Sequence, residues 1–526
     1  MKIYKILLLI VAVVFLSSCE DYLDTNPTDS TSGDVLFSDV DKANVALNGI
    51  YRAMYVASEW SANWADEEFG VTAFTLTYDL MAEDMVQSEE GSGWFYYDYI
   101  YNVKSDYIHK SGRPYAVWFF YYTVISNANS IIAAKDGITG EPSEINSLIG
   151  QAYALRAYAY FNLIRFYQQT YVGHENAPGV PIYTEPTTNT SEGQARGTVA
   201  DVYVQIDADI EEAIALLHPD NAAAKSHPSH IDYYVANGIK ANIALEKNDW
   251  ATAESAATIA LSGGTSMLSM DDLDNGFAFN DASAPTVLWG LSIIAEHSTV
   301  FGSFFSHMDA SADYYAQTSR KCISSWLYEQ MSDYDVRKNL WWNGPLDSDD
   351  PIGPVMSYNQ FKFRFSDATN ALGDYILMRT EEMMLVQAEA MCMQSKYSQA
   401  RAVLNELMAE RDVTYDISSL QDAHTLTTSD ANGPTTPAGG SVTLLDEIIL
   451  QRRIELWGEV GRIMDIKRLK TGFSRNFAGS NHVDKLLTRN TIDPTYADFV
   501  MSIPQSEFDG NKNMDEVTDQ NPFADN

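Results

Sequence analysis

The chain has 526 residues, 45% of them hydrophobic, so it exceeds the usual length of one domain and carries ample material for a core. Its 34 basic against 72 acidic side chains give a formal net charge of −38. That field repels phosphate backbones and anionic lipid surfaces, which excludes nucleic acid as a partner and fits a secreted, soluble surface, a cationic ligand being the sharper alternative.

Lys2 and Lys5 precede an unbroken apolar run, Ile6 to Leu16, too short to span a bilayer as a helix; residues 1–18 read as a secretory signal. Leu16, Ser17, Ser18 and Cys19 then resemble a bacterial lipobox, which implies that Cys19 carries lipid and anchors the mature chain to a membrane. Residues 19–40 form the anchor and a polar tether containing Pro27 and Gly33. With Cys19 used, Cys322 and Cys392 remain, either as two thiols or as one bridge, and nothing in their spacing implies a disulfide framework.

Region 41–270 opens with helical periodicity from Asp41, resumes it at Tyr115 and again over Glu144–Tyr167. Between these lies an irregular stretch, Trp60 to His109, crowded with Trp60, Trp64, Trp94, Phe95, Tyr96, Tyr97 and Tyr99. Val199–Leu217 places Val202, Ile206, Ile210, Ala213 and Leu217 on one stripe, which predicts an amphipathic helix. His230–Leu261 reads as two helices about a turn at Asn248 and Asp249, and Arg379–Arg411 as two more about Ser395 and Lys396. In both, small residues recur twelve apart, Ala241 with Ala253 and Ala388 with Ala400, a spacing similar to the close-approach positions of tetratricopeptide helix pairs.

Region 271–526 begins with a second irregular segment, Ser262 to Ala371 in full extent, holding Trp289, Tyr314, Tyr315, Trp326, Trp341 and Trp342. Thr425–Gly440 reads as an exposed loop. Leu444–Phe473 is expected to be one docked helix, with Leu445, Ile449, Leu456, Val460 and Ile463 on its apolar stripe. On that reading Glu459 with Arg462, and Arg462 with Asp465, pair along its surface for about 0.2–0.5 kcal/mol each.

The chain has no G-x-S-x-G elbow, H-E-x-x-H pair, phosphate-cradling Gly loop or G-x-G-x-x-G, so no enzyme and no cofactor is expected. Asp271–Gly276 fails the calcium-loop pattern, because Leu273 and Ala282 stand at ligand positions, and leaves the acidic loop Asp347–Asp350 as the remaining cation candidate. His227 and His230 flank Pro228, against a helical metal pair.

The run RRIELWGEVGRIMDIKR resembles the signature of the SusD/RagB family of outer-membrane nutrient-binding lipoproteins. Arg453, Glu455, Leu456, Glu459, Arg462, Asp465, Lys467 and Arg468 match it, whereas Val460, Gly461, Ile463 and Met464 depart. Leu23, Asp24, Asn26 and Pro27, the helix GQAYALRAYAYFNLIRFY, the segment DYDVRK at Asp333–Lys338, and the closing Ile503, Pro504, Gln505, Glu507 and Gln520, Asn521, Pro522 resemble further family segments. The resemblance implies a mostly α, tetratricopeptide-like helix-pair scaffold with long irregular loops and a few short strands. It also implies a surface lipoprotein that binds oligosaccharide and delivers it to a TonB-dependent, SusC-like outer-membrane transporter. A peptide-binding, RagB-like uptake protein and an all-α polysaccharide-degrading lipoprotein are the alternatives.

For the ligand face the expected residues are Trp94, Tyr96, Trp341, Trp342 and Asn343. The axial hydrogens of a sugar form an apolar patch that lies on an aromatic ring, so a binder needs rings held in exposed, rigid loops. Gly91, Ser92 and Gly93 introduce the first pair, and Asn343, Gly344 and Pro345 follow the second.

Overall fold

The computed structural model describes residues 33–56, 66–101, 107, 108, 110, 112–188, 190–342, 344, 357–427, 441–483, 495 and 497–522. Cys19, Trp60, Trp64, Asn343 and the acidic loop 347–350 lie outside the described residues. The fold is mostly helical, as expected, with short strands.

Its longer helices are α1 (Val40–Ala53), α2 (Val71–Leu80), α3 (Arg113–Ala133), α4 (Pro142–Tyr167), α5 (Val199–Leu217), α6 (Tyr233–Glu246), α7 (Trp250–Leu261), α8 (Thr380–Met393), α9 (Tyr397–Ala409), α10 (Leu444–Glu455) and α11 (Arg462–Leu469). From α3 to α9 each packs on the next. The series therefore crosses residue 270, joining helix pairs from both halves of the chain. The strands are β1 (Met85–Gln87), β2 (Val287–Leu291), β3 (Lys321–Ile323) and β4 (Tyr375–Arg379). They form two antiparallel pairs: β1 on β3, with Val86 opposite Cys322, and β2 on β4, with a register irregularity about Trp289.

Local chemistry explains the helix limits. Thr198 and Asp201 make a reciprocal capping box at the start of α5, each side chain bonding the other's backbone N–H, and all five residues of the expected stripe are buried. In the middle of α4, Arg156 reaches Asp209 of α5 with two bonds of 2.8 and 2.6 Å and Asn129 of α3 with one of 2.7 Å, which locks three helices at one depth. The α6–α7 and α8–α9 turns both use a non-glycine residue in the left-handed region, Asn248 at φ 58° and Ser395 at φ 59°. Ala241, Ala253, Ala388 and Ala400 are fully buried. Asp272 of the failed calcium loop caps a short helix, Met270–Asp274, together with Ser269. Cys322 and Cys392 are free and buried.

The segment from Leu444 departs from the single helix expected of it. It breaks after Glu455 and resumes at Arg462, because Gly458 (φ 79°) and Gly461 (φ 74°) take backbone conformations that side chains penalise. A Cβ on Gly458 would also fall 2.7 Å from the Phe363 ring. Every residue of α10 is buried, so it has no solvated flank.

Most charged residues of this segment bond across the molecule rather than along a helix, Asp465 with Arg468 being an i, i+3 pair within α11. Glu455 meets Arg379 and Arg411 on one oxygen, at 3.0 and 3.1 Å, and Arg337 and Arg411 on the other, both at 3.0 Å. Glu459 holds Arg379 at 2.7 Å and Lys362 at 2.5 Å. Arg462 bonds Glu83 at 3.0 Å, and Asp465 takes Arg452 and Arg468 at 2.9 and 2.7 Å. Arg453 reaches Asp84, 369 residues earlier, through two bonds of 2.9 and 2.5 Å. Late residues close early ones elsewhere too: Arg475 donates to the carbonyls of Leu80 and Ala82, and Asn521 to those of Tyr167 and Met501.

Burial pushes the Glu455 carboxyl up, but Arg411, Arg379 and Arg337 together hold it well below the usual carboxylate range. Its stabilisation is thus complete above the unfolded Glu pKa of about 4.3 and is lost as pH falls from there towards the depressed folded value. Glu455→Gln is expected to destabilise the protein at neutral pH by about 3–5 kcal/mol, since three buried guanidiniums lose a shared counter-charge. Denaturation of both proteins at pH 7 and at pH 3 checks this: the gap shrinks at pH 3, and a pH-independent gap refutes the electrostatic account. Ala388→Trp, which inserts a ring where α8 and α9 touch, is expected to cost about 1–3 kcal/mol or more by overpacking. An unchanged melting temperature would remove the close-contact reading there.

Candidate ligand-binding face

The β1–β3 pairing aligns the loops that leave these two strands. Ser88 N donates to the Arg320 carbonyl at 3.0 Å, and Arg320 N to the Ser88 hydroxyl at 3.0 Å. Gly91 (φ 56°) and Gly93 (φ 92°) then turn the first loop, and a Cβ on Gly91 would meet Ser319 at 2.8 Å. That tight approach sets the Trp94 ring edge-on to Tyr315, with centroids 6.2 Å apart at 68°.

Tyr315 is the hub of the face. Its ring stacks on His307 (5.0 Å, 19°) and tilts against Phe301 (5.4 Å, 46°), and its hydroxyl donates to the Asp66 carboxylate. Phe301 is 50% exposed and meets Tyr314 edge-on at 6.2 Å. Trp94, Tyr314 and Tyr315 are half-buried. Burial raises the Tyr315 phenol, and the bond to Asp66 raises it further, to about 12, so it stays a donor at ordinary pH.

Beneath these rings the floor is rigid. His307 is buried, and burial, with Lys321 nearby, pushes it down to about 3; the neutral ring donates from Nε2 to the Asp66 carbonyl at 2.9 Å. Phe95 sits in the left-handed region at φ 58°, with its N–H on Glu67 at 2.8 Å and its ring under the Arg113 guanidinium at 5.0 Å. Arg113 is itself paired with Asp98 and Glu67 at 3.2 and 3.3 Å. A non-glycine residue held there so firmly marks a loop whose shape is over-determined.

Of the residues expected at the ligand face, Trp94 lies in this cluster. Tyr96 is only 5% exposed, so its ring is committed to packing. Trp341 is 3% exposed and stands perpendicular to Trp457 at 5.8 Å, a core contact that leaves no ring face for a ligand. Trp342 is half-buried, its backbone bonded to Asn359 and Tyr358 and its ring over Gly344. Trp341 is thus anchored in the body while Trp342 stays half-exposed, and Phe301, Tyr314, Tyr315 and Asp66 were not anticipated. Tyr314 and Tyr315 are visible as loop aromatics in the sequence. Their meeting with Trp94 depends on two three-residue strands too short to read from a pattern.

Among the described residues no group of His, Cys, Asp or Glu is arranged to hold a metal ion, and no helix is long and apolar enough to cross a membrane.

A helix-pair body that carries half-exposed rings on fixed loops has the build of a solute-binding protein. Comparison with known proteins agrees. Residues 21–236 match a family described as SusD-like, starch-binding and associating with the outer membrane, and residues 237–523 match the SusD family. The chain belongs to the SusD family. It is 24% identical to SusD-like protein P2 of Formosa agariphila, over 98% of this chain and 99% of that protein. Among solved structures, a SusD-like carbohydrate-binding protein of Bacteroides vulgatus shares 24% identity and superposes with a TM-score of 0.75, over 91% of this chain and 98% of that one. A laminarin-binding SusD-like protein shares 17% identity with a TM-score of 0.64, over 92% and 100% of the two chains.

Proposed function

We propose that the protein is a lipid-anchored surface receptor that captures oligosaccharide on the face around Trp94, Phe301 and Tyr315 and delivers it to a SusC-like TonB-dependent transporter. The reading rests on one observation: half-exposed rings converge from two loops on a rigid floor, with the Asp66 carboxylate at their edge. Flat rings offer their faces to the C–H patches of a sugar, and carboxylate and phenol take its hydroxyls. Family membership and the laminarin-binding relative support a glycan ligand. Family membership supports capture rather than cleavage.

Trp94→Ala combined with Phe301→Ala is expected to weaken binding about tenfold per ring, with melting unchanged, as each ring contributes roughly half of the 1.5–3 kcal/mol of a fully buried side chain. Calorimetry of the full chain in detergent against a glycan panel checks this. Wild-type affinity in the folded variant, binding of peptides in place of every glycan, or release of new reducing ends sinks the reading. The anchor has its own test. Each acyl methylene buried in a bilayer contributes about 0.8 kcal/mol, so Cys19→Ala is expected to release the protein from the membrane fraction. Unchanged fractionation, with no acyl mass on the N-terminal peptide, refutes the anchor.

A further inference from the structure

A second aromatic surface, on the exposed side of α3, shares no lining residue with the Trp94 cluster. It is an open groove of about 450 Å³ between α3, loop residues 183–188 and 190–193, and the short helix Gln505–Gly510. On one wall Tyr115 and Phe119, one helical turn apart, stack nearly parallel with centroids 5.5 Å apart at 10°, and Phe119 is 41% exposed. Trp118 and Tyr122 continue the wall inward, and Tyr183 meets Tyr122 edge-on at 5.8 Å. The opposite wall carries the exposed hydroxyls of Thr188 and Ser191.

At the end of the groove Glu507 accepts from Trp118 Nε1 at 3.1 Å and from Asn511 Nδ2 at 2.7 Å. A carboxylate offers about four lone-pair sites, so two remain for further donors. The walls are already fixed against each other. Asn511 Nδ2 donates to the Gln194 carbonyl at 2.7 Å, Gln194 N to the Tyr183 hydroxyl at 3.0 Å, and a Cβ on Gly193 would fall 2.1 Å from Asn511 Oδ1. Such a cavity holds its shape without a ligand, which lowers the entropic cost of filling it.

Ring faces on one side, hydroxyls on the other and a carboxylate at the end suit a ligand with apolar faces and a girdle of hydroxyl donors. Charge narrows the class. Glu192 and Glu507 against Lys110 leave the lining acidic, on a chain of net charge −38, so uronate, sulfated and other anionic chains are disfavoured. We infer that this groove is a second binding site for a neutral oligosaccharide, separate from the Trp94 face. The choice of ligand class rests on the proposed function, while the site itself does not share its residues.

The test titrates the full chain in detergent with laminarihexaose, maltohexaose, xylohexaose and mannohexaose, by calorimetry, in the wild type, in Tyr115→Ala/Phe119→Ala and in Trp94→Ala/Phe301→Ala. The groove variant is expected to melt like the wild type and either to lose one of two binding events or to bind at least about tenfold more weakly. Should it melt early, Ser191→Trp, which fills the groove from its exposed wall, reads the same loss. An unchanged isotherm in the groove variant, with loss confined to the Trp94 variant, overturns the second site and leaves the proposed function standing. Loss confined to the groove variant supports the second site and removes the Trp94 face. No binding of any hexasaccharide overturns both.

Discussion

One carboxylate shared by three guanidiniums holds the C-terminal half in register. Glu455 collects Arg337 from within the second irregular segment, Arg379 from the end of β4, and Arg411 from beyond α9. Glu381 bridges Arg379 and Arg411, Glu459 bridges Arg379 and Lys362, and Asp335 pairs with Arg337, so four acids face four bases. Buried ion pairs gain little over apolar packing in net stability, because desolvation opposes the Coulomb attraction. Their effect is geometric. Only one placement of four separate segments satisfies every partner, whereas an apolar contact would tolerate sliding.

The placement carries outward. Arg379 ends β4, which pairs with β2, and Lys362 donates to the carbonyls of Glu455 and Trp457 in the turn between α10 and α11. Trp457 in turn takes the edge of Trp341, and its N–H bonds the Asp84 carbonyl just before β1. Since β1 on β3 is what brings Trp94 to Tyr315, the buried charges and the ring-bearing loops belong to one chain of contacts.

How much of this could be read beforehand depends on the range of each cause. Helices governed by period and small-residue spacing were legible, including the turns at Asn248 and Ser395 and the buried stripe of α5. The break in the Leu444 segment was present as Gly458 and Gly461, but an apolar period read straight through them obscured it. The partners of Glu455, Glu459 and Arg462 were not legible from spacing, because a helix pattern sees three or four residues away and these partners lie from 44 to 379 away. Family resemblance selected those positions as important without giving the physical reason. Turn residues located Trp94 on a loop, yet the same signal misled for Trp341: Gly and Pro report a bend in the backbone and not which side of it faces solvent. Trp341, bridged to Gln360, faces inward.

The bonds between Arg453 and Asp84, between Arg475 and the carbonyls of Leu80 and Ala82, and between Asn521 and Tyr167 share one property: the donor is made long after the acceptor. A chain synthesised from its N-terminus therefore exposes Glu83 and Asp84 with no counter-charge until most of it exists, and α4 gains its final bonds only with the last few residues. Contacts of such sequence separation are slow to form, because the long loops they close must be ordered first. The early helices can pack on one another as they emerge, whereas the segment of Glu83 and Asp84 and the end of α4 are completed only when the C-terminal residues arrive.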